Sequence, residues 1–129
     1  MRVRSAILSS IVVLLPVGLT GCEKSPRDKL QGKWVGEAVT QVHPTQQSRA
    51  EGWARGTQLE FTGNRVTISV PAESPRSGTF KVEKEDGGNL DVVFKRSGGG
   101  DDRTKLAFSD DGKLLWTLGG GVQVVMKKL

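Results

Sequence analysis

The stretch Arg65-Val66-Thr67-Ile68-Ser69-Val70 alternates strictly between polar and apolar side chains. Successive side chains of an extended strand point to opposite faces, so Val66, Ile68 and Val70 share one face. An amphipathic helix would instead place its apolar residues three and four positions apart. The stretch therefore predicts a β-strand with one buried face and one face in water.

The same two-residue period recurs along the chain from Lys33 onward. The other segments that show it are 33–39, 57–61, 78–83, 90–94, 106–108, 114–118 and 122–126. Turn residues separate them, for example Thr62-Gly63-Asn64, because Gly and Asn tolerate the positive φ of tight hairpins. Short strands at this spacing indicate a sandwich or a barrel, and closure removes aggregation-prone edges. We predict an all-β domain over residues 32–129, an eight-stranded antiparallel meander closing into a small barrel.

Three stretches interrupt this period. Residues 40–55 are polar and predict either a long loop or a short helix from about Thr45, which is an acceptable N-cap. Residues 70–77 contain two prolines and predict a loop without helix. Residues 96–103 are rich in Gly and charge, which predicts a mobile, solvent-facing loop.

The N-terminus has the layout of a secretory signal peptide. Two arginines precede an apolar run over residues 6–19, which is too short to cross a bilayer comfortably. Leu19-Thr20-Gly21-Cys22 resembles the bacterial lipobox, in which a lipid is attached to the Cys sulfur before cleavage. The alternative is a signal peptide that merely contains a cysteine. We predict a signal peptide over residues 1–21 and a lipid-anchored tether over 22–31.

A lipid on Cys22 would make the membrane a partner of the mature protein. Acyl chains on one residue hold a protein firmly when there are two or more of them. Glu23 follows the cysteine, and the lipoproteins that this segment resembles use Asp there for inner-membrane retention. The predicted location is therefore the cell envelope, at the periplasmic face of the outer membrane rather than at the inner membrane.

Composition narrows the possible functions. The chain has 129 residues, one Cys and one His, so it has room for one domain, and neither an internal disulfide nor a multi-histidine metal centre can form. Without residues 1–21 the formal net charge falls from +5 to +3, with no basic stripe typical of nucleic-acid binding. No nucleophile motif or phosphate-binding loop is present. We predict no enzyme activity, no cofactor and no metal.

Gly32-Lys33-Trp34 at the head of the first strand resembles the Gly-x-Trp start of lipocalins and lipocalin-like barrels. The resemblance implies that Trp34 packs at the closed barrel base under a basic residue of the last strand, here Lys127 or Lys128. The size and the predicted lipid anchor of this chain also resemble those of proteinaceous lysozyme inhibitors, although those inhibitors usually hold a disulfide.

Bulky apolar residues dominate the inward positions that the alternation predicts. The inferred set is Leu59, Phe61, Val66, Ile68, Phe80, Val82, Leu90, Val92, Phe94, Leu106, Phe108, Leu114, Trp116, Val122, Val124 and Met126. An eight-stranded barrel is just wide enough to be filled by side chains or to hold one small ligand. A filled core is the simpler interpretation. The alternative is a cavity for an apolar ligand lined by Phe94, Phe108 and Trp116.

The interrupting loops supply a second candidate site. Trp53 and Arg55, with Glu51, could form a recognition patch, or Trp53 could cap the open end of the barrel. His43 is interpreted as a solvated loop residue. Two functional hypotheses result. The domain is an envelope binding module that holds a small apolar ligand, or it is an interaction or inhibitor module, for example of a cell-wall hydrolase, that acts through its loops.

Overall fold

A computed structural model describes residues 25–129, so the predicted signal peptide and Cys22 lie outside the described residues. The strands are β1 Gly32–Thr40, β2 Gln58–Thr62, β3 Arg65–Ser69, β4 Arg76–Asp86, β5 Asn89–Arg96, β6 Asp101–Phe108, β7 Leu114–Thr117 and β8 Gln123–Lys128. The helices are α1 Pro26–Leu30 and α2 Gln47–Arg55, with single 3-10 turns at Pro44–Gln46 and Gly119–Gly121. Within this part of the chain, no helix is long and apolar enough to cross a membrane.

Each strand pairs antiparallel with its successor, and β8 pairs with β1. The sheet is therefore a closed eight-stranded meander barrel, which confirms the predicted fold class. Two irregularities bend the wall, one between Gly36 and Ala38 of β1 and one between Val82 and Lys84 of β4. Such bulges let a strand bend and re-aim its side chains.

The period-two alternation correctly identified the interior. Of the sixteen residues expected to point inward, twelve are buried, and the other four are partly buried and pack against the core: Ile68, Val82, Phe108 and Val122. Phe61 and Phe80 meet edge to face with ring centroids 4.9 Å apart, a favoured aromatic geometry. The hydrophobic effect on this apolar set is the main force that stabilises the barrel.

The antiparallel strand order gives the barrel two different ends. The end that holds α1 and the β2–β3, β4–β5 and β6–β7 turns is called the closed end. The end that holds α2 and the β3–β4, β5–β6 and β7–β8 connections is called the open end. These positions follow from strand direction alone, because each hairpin turn alternates between the two ends of a meander.

The interrupting stretches are more ordered than the sequence predicted. Residues 44–55 form a 3-10 turn followed by α2. His43 caps the 3-10 turn, because its Nδ1 accepts the Thr45 amide at 3.2 Å, and the N-cap of α2 is Gln46 rather than Thr45. β4 already begins at Arg76, and β6 begins at Asp101, so the expected 96–103 loop shrinks to residues 97–100. The predicted tether also contains structure, since α1 lies in it and Leu30 is fully buried.

Candidate functional site

A cavity of about 330 Å³ lies at the open end, bordered by β3, β4, β5, β6 and β7. Its apolar lining includes Val66, Ile68, Phe94, Trp116 and Leu118. The first four lie on the inward side of their strands and Leu118 directly follows β7, so the cavity reaches from the rim into the barrel. Apolar lining with a few polar groups is typical of small-ligand sites, whose volumes run from about 300 to 1,000 Å³.

Trp116 is held in place at the side of this cavity. Its indole Nε1 donates a hydrogen bond to the Thr104 hydroxyl, 2.8 Å away on neighbouring β6. Trp116 as a whole residue is 8% exposed, which makes it one of the less covered members of the core. Because the one polar group of the side chain already has a partner, the rest of Trp116 offers an apolar surface to a ligand.

Charged side chains stand at the rim of the cavity. Arg96 donates from Nε and Nη2 to the two carboxylate oxygens of Asp102, both at 2.7 Å. Register places Arg96 opposite Gly78, and Asp102 opposite the inward-facing Phe94, so both side chains are on the inward face of the sheet. Arg76 also lines the rim and lies 3.6 Å from Glu73.

The rim electrostatics keep Asp102 ionised. The hydrogen bond from Arg96 is the largest effect and lowers the pKa of Asp102. Desolvation opposes it, and the positive charges of Arg96 and Arg76 lower the pKa further. The same pair raises the pKa of Arg96. Charged residues of both signs therefore line the cavity: Arg76, Arg96, Arg103, Lys95, Glu73 and Asp102.

The closed end, by contrast, is packed with side chains. Trp34 is 2% exposed, its Nε1 donates to the Leu30 carbonyl at 2.8 Å, and its ring centroid is 6.4 Å from that of Phe108. Lys128 Nζ lies 5.6 Å from the centroid of the Trp34 ring, the basic-over-indole contact expected for Lys127 or Lys128. Phe108 thus lies at the closed end, whereas Phe94 and Trp116 line the cavity.

Backbone conformation and close packing explain why a glycine begins the Gly32-Lys33-Trp34 segment. Gly32 has φ +117°, a conformation that residues with a Cβ rarely adopt. A Cβ at this position would come within 2.7 Å of Lys128 Cε. Gly32 therefore provides the room that the Lys128 side chain needs above Trp34.

Trp53 lies on α2, half-buried against the barrel core rather than free in solvent. It borders an apolar groove of about 380 Å³, together with Val42, Ala50, Leu118 and Val122. Arg55 is exposed and lies 3.6 Å from Glu51 one helical turn earlier. The structure thus places Trp53 at the open end and leaves Arg55 outside the groove.

α2 approaches β1 unusually closely. A Cβ on Gly36 would lie 2.2 Å from the Ala54 carbonyl oxygen, so only glycine fits at this contact. The Gly36 amide donates to the Thr57 carbonyl at 3.0 Å, and the buried Thr57 hydroxyl donates to the Trp53 carbonyl at 2.8 Å. The helix is therefore fixed on the β1 and β2 side, which leaves the β3 to β6 side uncovered.

Other surfaces are weaker candidates. A depression of about 650 Å³ runs over the outer face of β4, β5 and β6, and its lining includes Glu83, Lys84, Asp91 and Lys105. Because it lies on the outside of the barrel wall, it would enclose less of a small ligand than a cavity that reaches into the barrel. Within residues 25–129, no three His, Cys, Asp or Glu side chains are close enough together to hold a metal ion.

The rim residues Arg76, Arg96 and Asp102 were not identified from the sequence. The signal available in the sequence was their spacing, because residues two positions apart in a strand share a face. Arg96 follows Phe94 by two positions, and Asp102 precedes Thr104 by two. Extending the inward alternation beyond the last apolar residue would have placed both on the inner face. Their residue types, typical of solvated turns, concealed that position.

The residues described so far define a small closed antiparallel barrel with a packed end and a cavity at the other end. Comparison with known proteins gives no relative: no protein-family model matches the chain, and neither a curated protein nor a solved structure is significantly similar to it. Function is therefore argued from the site itself.

Proposed function

We propose that this protein is a lipid-anchored binding module of the cell envelope that holds a small apolar or amphipathic ligand at the open end of its barrel. The observation that supports the proposal is the 330 Å³ cavity, whose apolar walls contrast with a packed closed end. The Gly32-Lys33-Trp34 start resembles that of lipocalin-like barrels, and an eight-stranded barrel is wide enough to hold one small ligand.

The lining favours a ligand with an apolar body and a polar group. Ile68, Phe94, Trp116 and Leu118 would bury the apolar part, such as a segment of an acyl chain. The polar part would remain at the rim, where the Arg96–Asp102 pair and Arg76 offer charged hydrogen-bond donors and acceptors. The volume is near the lower limit for ligand sites, so the cavity suits a small molecule or one chain.

The anchor in this proposal is a lipid on Cys22. It is supported by the order of charge, apolar run, small residues and cysteine at the N-terminus. Glu23 favours the periplasmic face of the outer membrane as the location. Mass spectrometry of the protein from a membrane fraction tests this part, because lipidation adds the mass of the acyl groups and Cys22→Ser removes it.

A second candidate function is interaction with another envelope protein, for example as an inhibitor of a wall hydrolase. The observation that favours it is the apolar groove beside α2, where Trp53, Val42 and Val122 are only partly covered. Aromatic residues such as Trp are enriched at the energetic centres of interfaces. In this case the partner would cover α2 and leave the cavity unoccupied.

The experiment that tests ligand binding is native mass spectrometry of residues 23–129 mixed with palmitate, supported by fluorescence titration with an anilinonaphthalene sulfonate probe. Ile68→Trp would fill the cavity, because Ile68 lines it. Ser69→Trp is the matched control, since it adds the same side chain to the same strand on the opposite face. We expect Ile68→Trp to weaken probe binding at least about tenfold, the equivalent of about 1.4 kcal/mol.

The two candidate functions predict different results. If neither palmitate nor the probe binds the wild-type protein, or if both variants bind equally well, the ligand proposal is wrong. In that case Trp53→Ala becomes the informative variant, since it removes the centre of the groove beside α2. A partner recovered by the wild-type protein but not by Trp53→Ala would then support the interaction function.

A further inference from the structure

Basic side chains cluster on one side of the closed end. Exposed positions on α1, at the start of β1 and β3 and at the end of β8 carry positive charge: Arg27, Lys29, Lys33, Arg65, Lys127 and Lys128. These six residues are called the basic face. The strands β8, β1 and β2 are consecutive neighbours in the barrel, and β3 follows β2, so the residues occupy one continuous part of the rim.

α1 lies against this rim through specific contacts. Gln31 Nε2 donates to the Gly63 carbonyl at 2.8 Å, and Gln31 Oε1 accepts the Gly63 amide at 2.7 Å. Arg27 Nε also points at the Gly63 carbonyl, at 3.4 Å. Because α1 is tied to the β2–β3 turn, its basic residues and Arg65 at the start of β3 stay on the same surface.

Few carboxylates neutralise the basic face. In the described part of the chain, Lys33 is the one member within 4.0 Å of a carboxylate, that of Glu60, and both side chains are about half exposed. Among the described residues, Asp28 on α1 also places a carboxylate on this surface. The six basic residues thus face the carboxylates of Glu60 and Asp28.

The rest of the closed end has mixed charge with an acidic excess. Glu85 and Asp86 end β4 next to Lys84, and the β6–β7 turn carries Asp110 and Asp111 together with Lys113, which contacts Asp111 and Glu37. The closed end is therefore polarised, with an excess of positive charge on the basic face and an excess of negative charge at the turns of β4 to β7. A surface that attracts cations and one that attracts anions cannot both face the same charged plane, so the polarity favours one tilt of the barrel.

The chain enters the folded domain on the basic side. α1 begins at Pro26, and Ser25 caps it by accepting the Asp28 amide on its hydroxyl. Two residues, Glu23 and Lys24, separate Cys22 from Ser25 in the sequence, so three steps of at most about 3.6 Å each join them. The length of chain between the anchor residue and Ser25 is therefore at most about 11 Å, close to the screening length of physiological salt.

From this arrangement we propose that the basic face is a docking surface for the anionic phospholipid headgroups of the membrane that holds the anchor. Lipidated proteins commonly combine acyl chains with a basic patch beside them, and each Lys or Arg close to an anionic surface strengthens binding by about fivefold. The proposal rests on the anchoring at Cys22 proposed above. Docking through the basic face points the open end of the barrel, with its cavity, away from the bilayer.

The test uses the unlipidated chain of residues 23–129, which contains every strand of the closed barrel as well as α1 and its contacts. Binding is measured by co-sedimentation with vesicles of phosphatidylethanolamine and phosphatidylglycerol, and with vesicles of phosphatidylcholine. We expect binding to the anionic vesicles alone, weakening as sodium chloride is raised. Equal binding to both vesicle types, or binding insensitive to salt, overturns the proposal.

A pair of charge variants locates the surface. Arg27→Gln, Lys29→Gln and Lys127→Gln together should reduce binding to anionic vesicles at least about tenfold. The matched control combines Lys81→Gln, Lys95→Gln and Lys105→Gln, which remove the same charge from exposed positions on the wall formed by β4, β5 and β6. We expect the control to change binding less than about threefold. An equal loss in both variants would show that net charge alone acts, and would overturn the docking surface.

These readouts separate this proposal from the proposed function. Palmitate binding at the open end is unaffected by the basic-face variant if the two ends are independent. Failure of ligand binding with intact vesicle binding would leave the docking surface standing. Circular dichroism of each variant identifies a loss of fold, and the salt series on the wild-type chain then decides the question without any variant.

Discussion

The two ends of the barrel are built from the same strands, yet one is packed and the other is hollow. At the closed end Trp34 contacts Leu30, Phe108 and Lys128, and its indole nitrogen bonds to the backbone. At the open end Trp116 bonds to Thr104 and borders a cavity of about 330 Å³. Alternation along a strand thus determines which side chains point inward, while the elements covering each end determine whether the space between them is filled.

The covering helices explain the difference. α1 is tied to the β2–β3 turn by Gln31 and inserts Leu30, which is fully buried. α2 leans instead on β1, where Gly36 permits its close approach, and this position leaves the rim of β3 to β6 open. A helix of nine residues is about 14 Å long, so α2 covers only part of the opening.

The largest expected effect compares the two buried tryptophans. Trp34→Ala should lower the free energy of unfolding by about 4 kcal/mol, because a large aromatic leaves a void in a packed region. Trp116→Ala should cost about 2 to 3 kcal/mol, since part of its surface already borders empty space. Urea denaturation followed by far-ultraviolet circular dichroism measures both. Equal losses would contradict a difference in packing between the two ends.

Trp53→Ala extends this comparison to a half-buried ring. The decrease in the free energy of unfolding should be the smallest of the three variants. Trp53 is only half-buried, so its removal takes away less buried apolar surface and less of the hydrophobic contribution. A loss as large as that of Trp34→Ala would show that α2 contributes to the core as strongly as the barrel interior does.

The second prediction concerns the contact that keeps α2 on one side. Gly36→Ala should destabilise the protein by about 1 to 3 kcal/mol, since its Cβ would collide with the Ala54 carbonyl and force α2 away. Gly52→Ala is the control within α2, because no atom lies within 4 Å of its added Cβ. It should stabilise the helix by up to about 1 kcal/mol. Thermal unfolding should therefore shift in opposite directions for the two variants.

Much of the fold could be predicted because an alternation with a period of two residues distinguishes a strand from a helix. The clean alternation around Val66 and Ile68 and the glycine-rich turns fix strand identity, and all sixteen inward residues are buried or partly buried. The order of eight strands with short connections then favours neighbour pairing, and closure is favoured because it leaves no exposed strand edge.

The cavity could not be predicted in the same way. Whether side chains fill a barrel depends on the angle of each helix, and this angle depends on contacts such as that between Gly36 and Ala54, which have no local signal. Phe108 illustrates why facing alone does not identify the cavity lining. It points inward like Phe94 and Trp116, but it lies beside Trp34 at the closed end. Position along the barrel axis, as well as facing, decides which residues line a site.

The smallest predicted effect concerns the charged rim. The hydrogen bond from Arg96, with the charges of Arg96 and Arg76, holds the pKa of Asp102 below its ordinary value. A carboxyl whose pKa is lower in the folded state stabilises the fold at pH values above the unfolded-state pKa, about 3.9, and this stabilisation is lost as pH falls through the folded-state value. Arg96→Gln should therefore raise the pKa of Asp102. The free energy of unfolding of this variant should then depend less on pH in the acidic range.

Carboxyl titration by NMR checks this prediction, and the closed end provides its control. The pKa of Asp111 is also lowered, chiefly by a hydrogen bond from the Ser109 hydroxyl and then by the charge of Lys113, neither of which involves Arg96. Arg96→Gln should move the titration of Asp102 and leave that of Asp111 in place. Movement of both would mean that the two ends of the barrel are coupled, and the separate roles assigned to them would have to be abandoned.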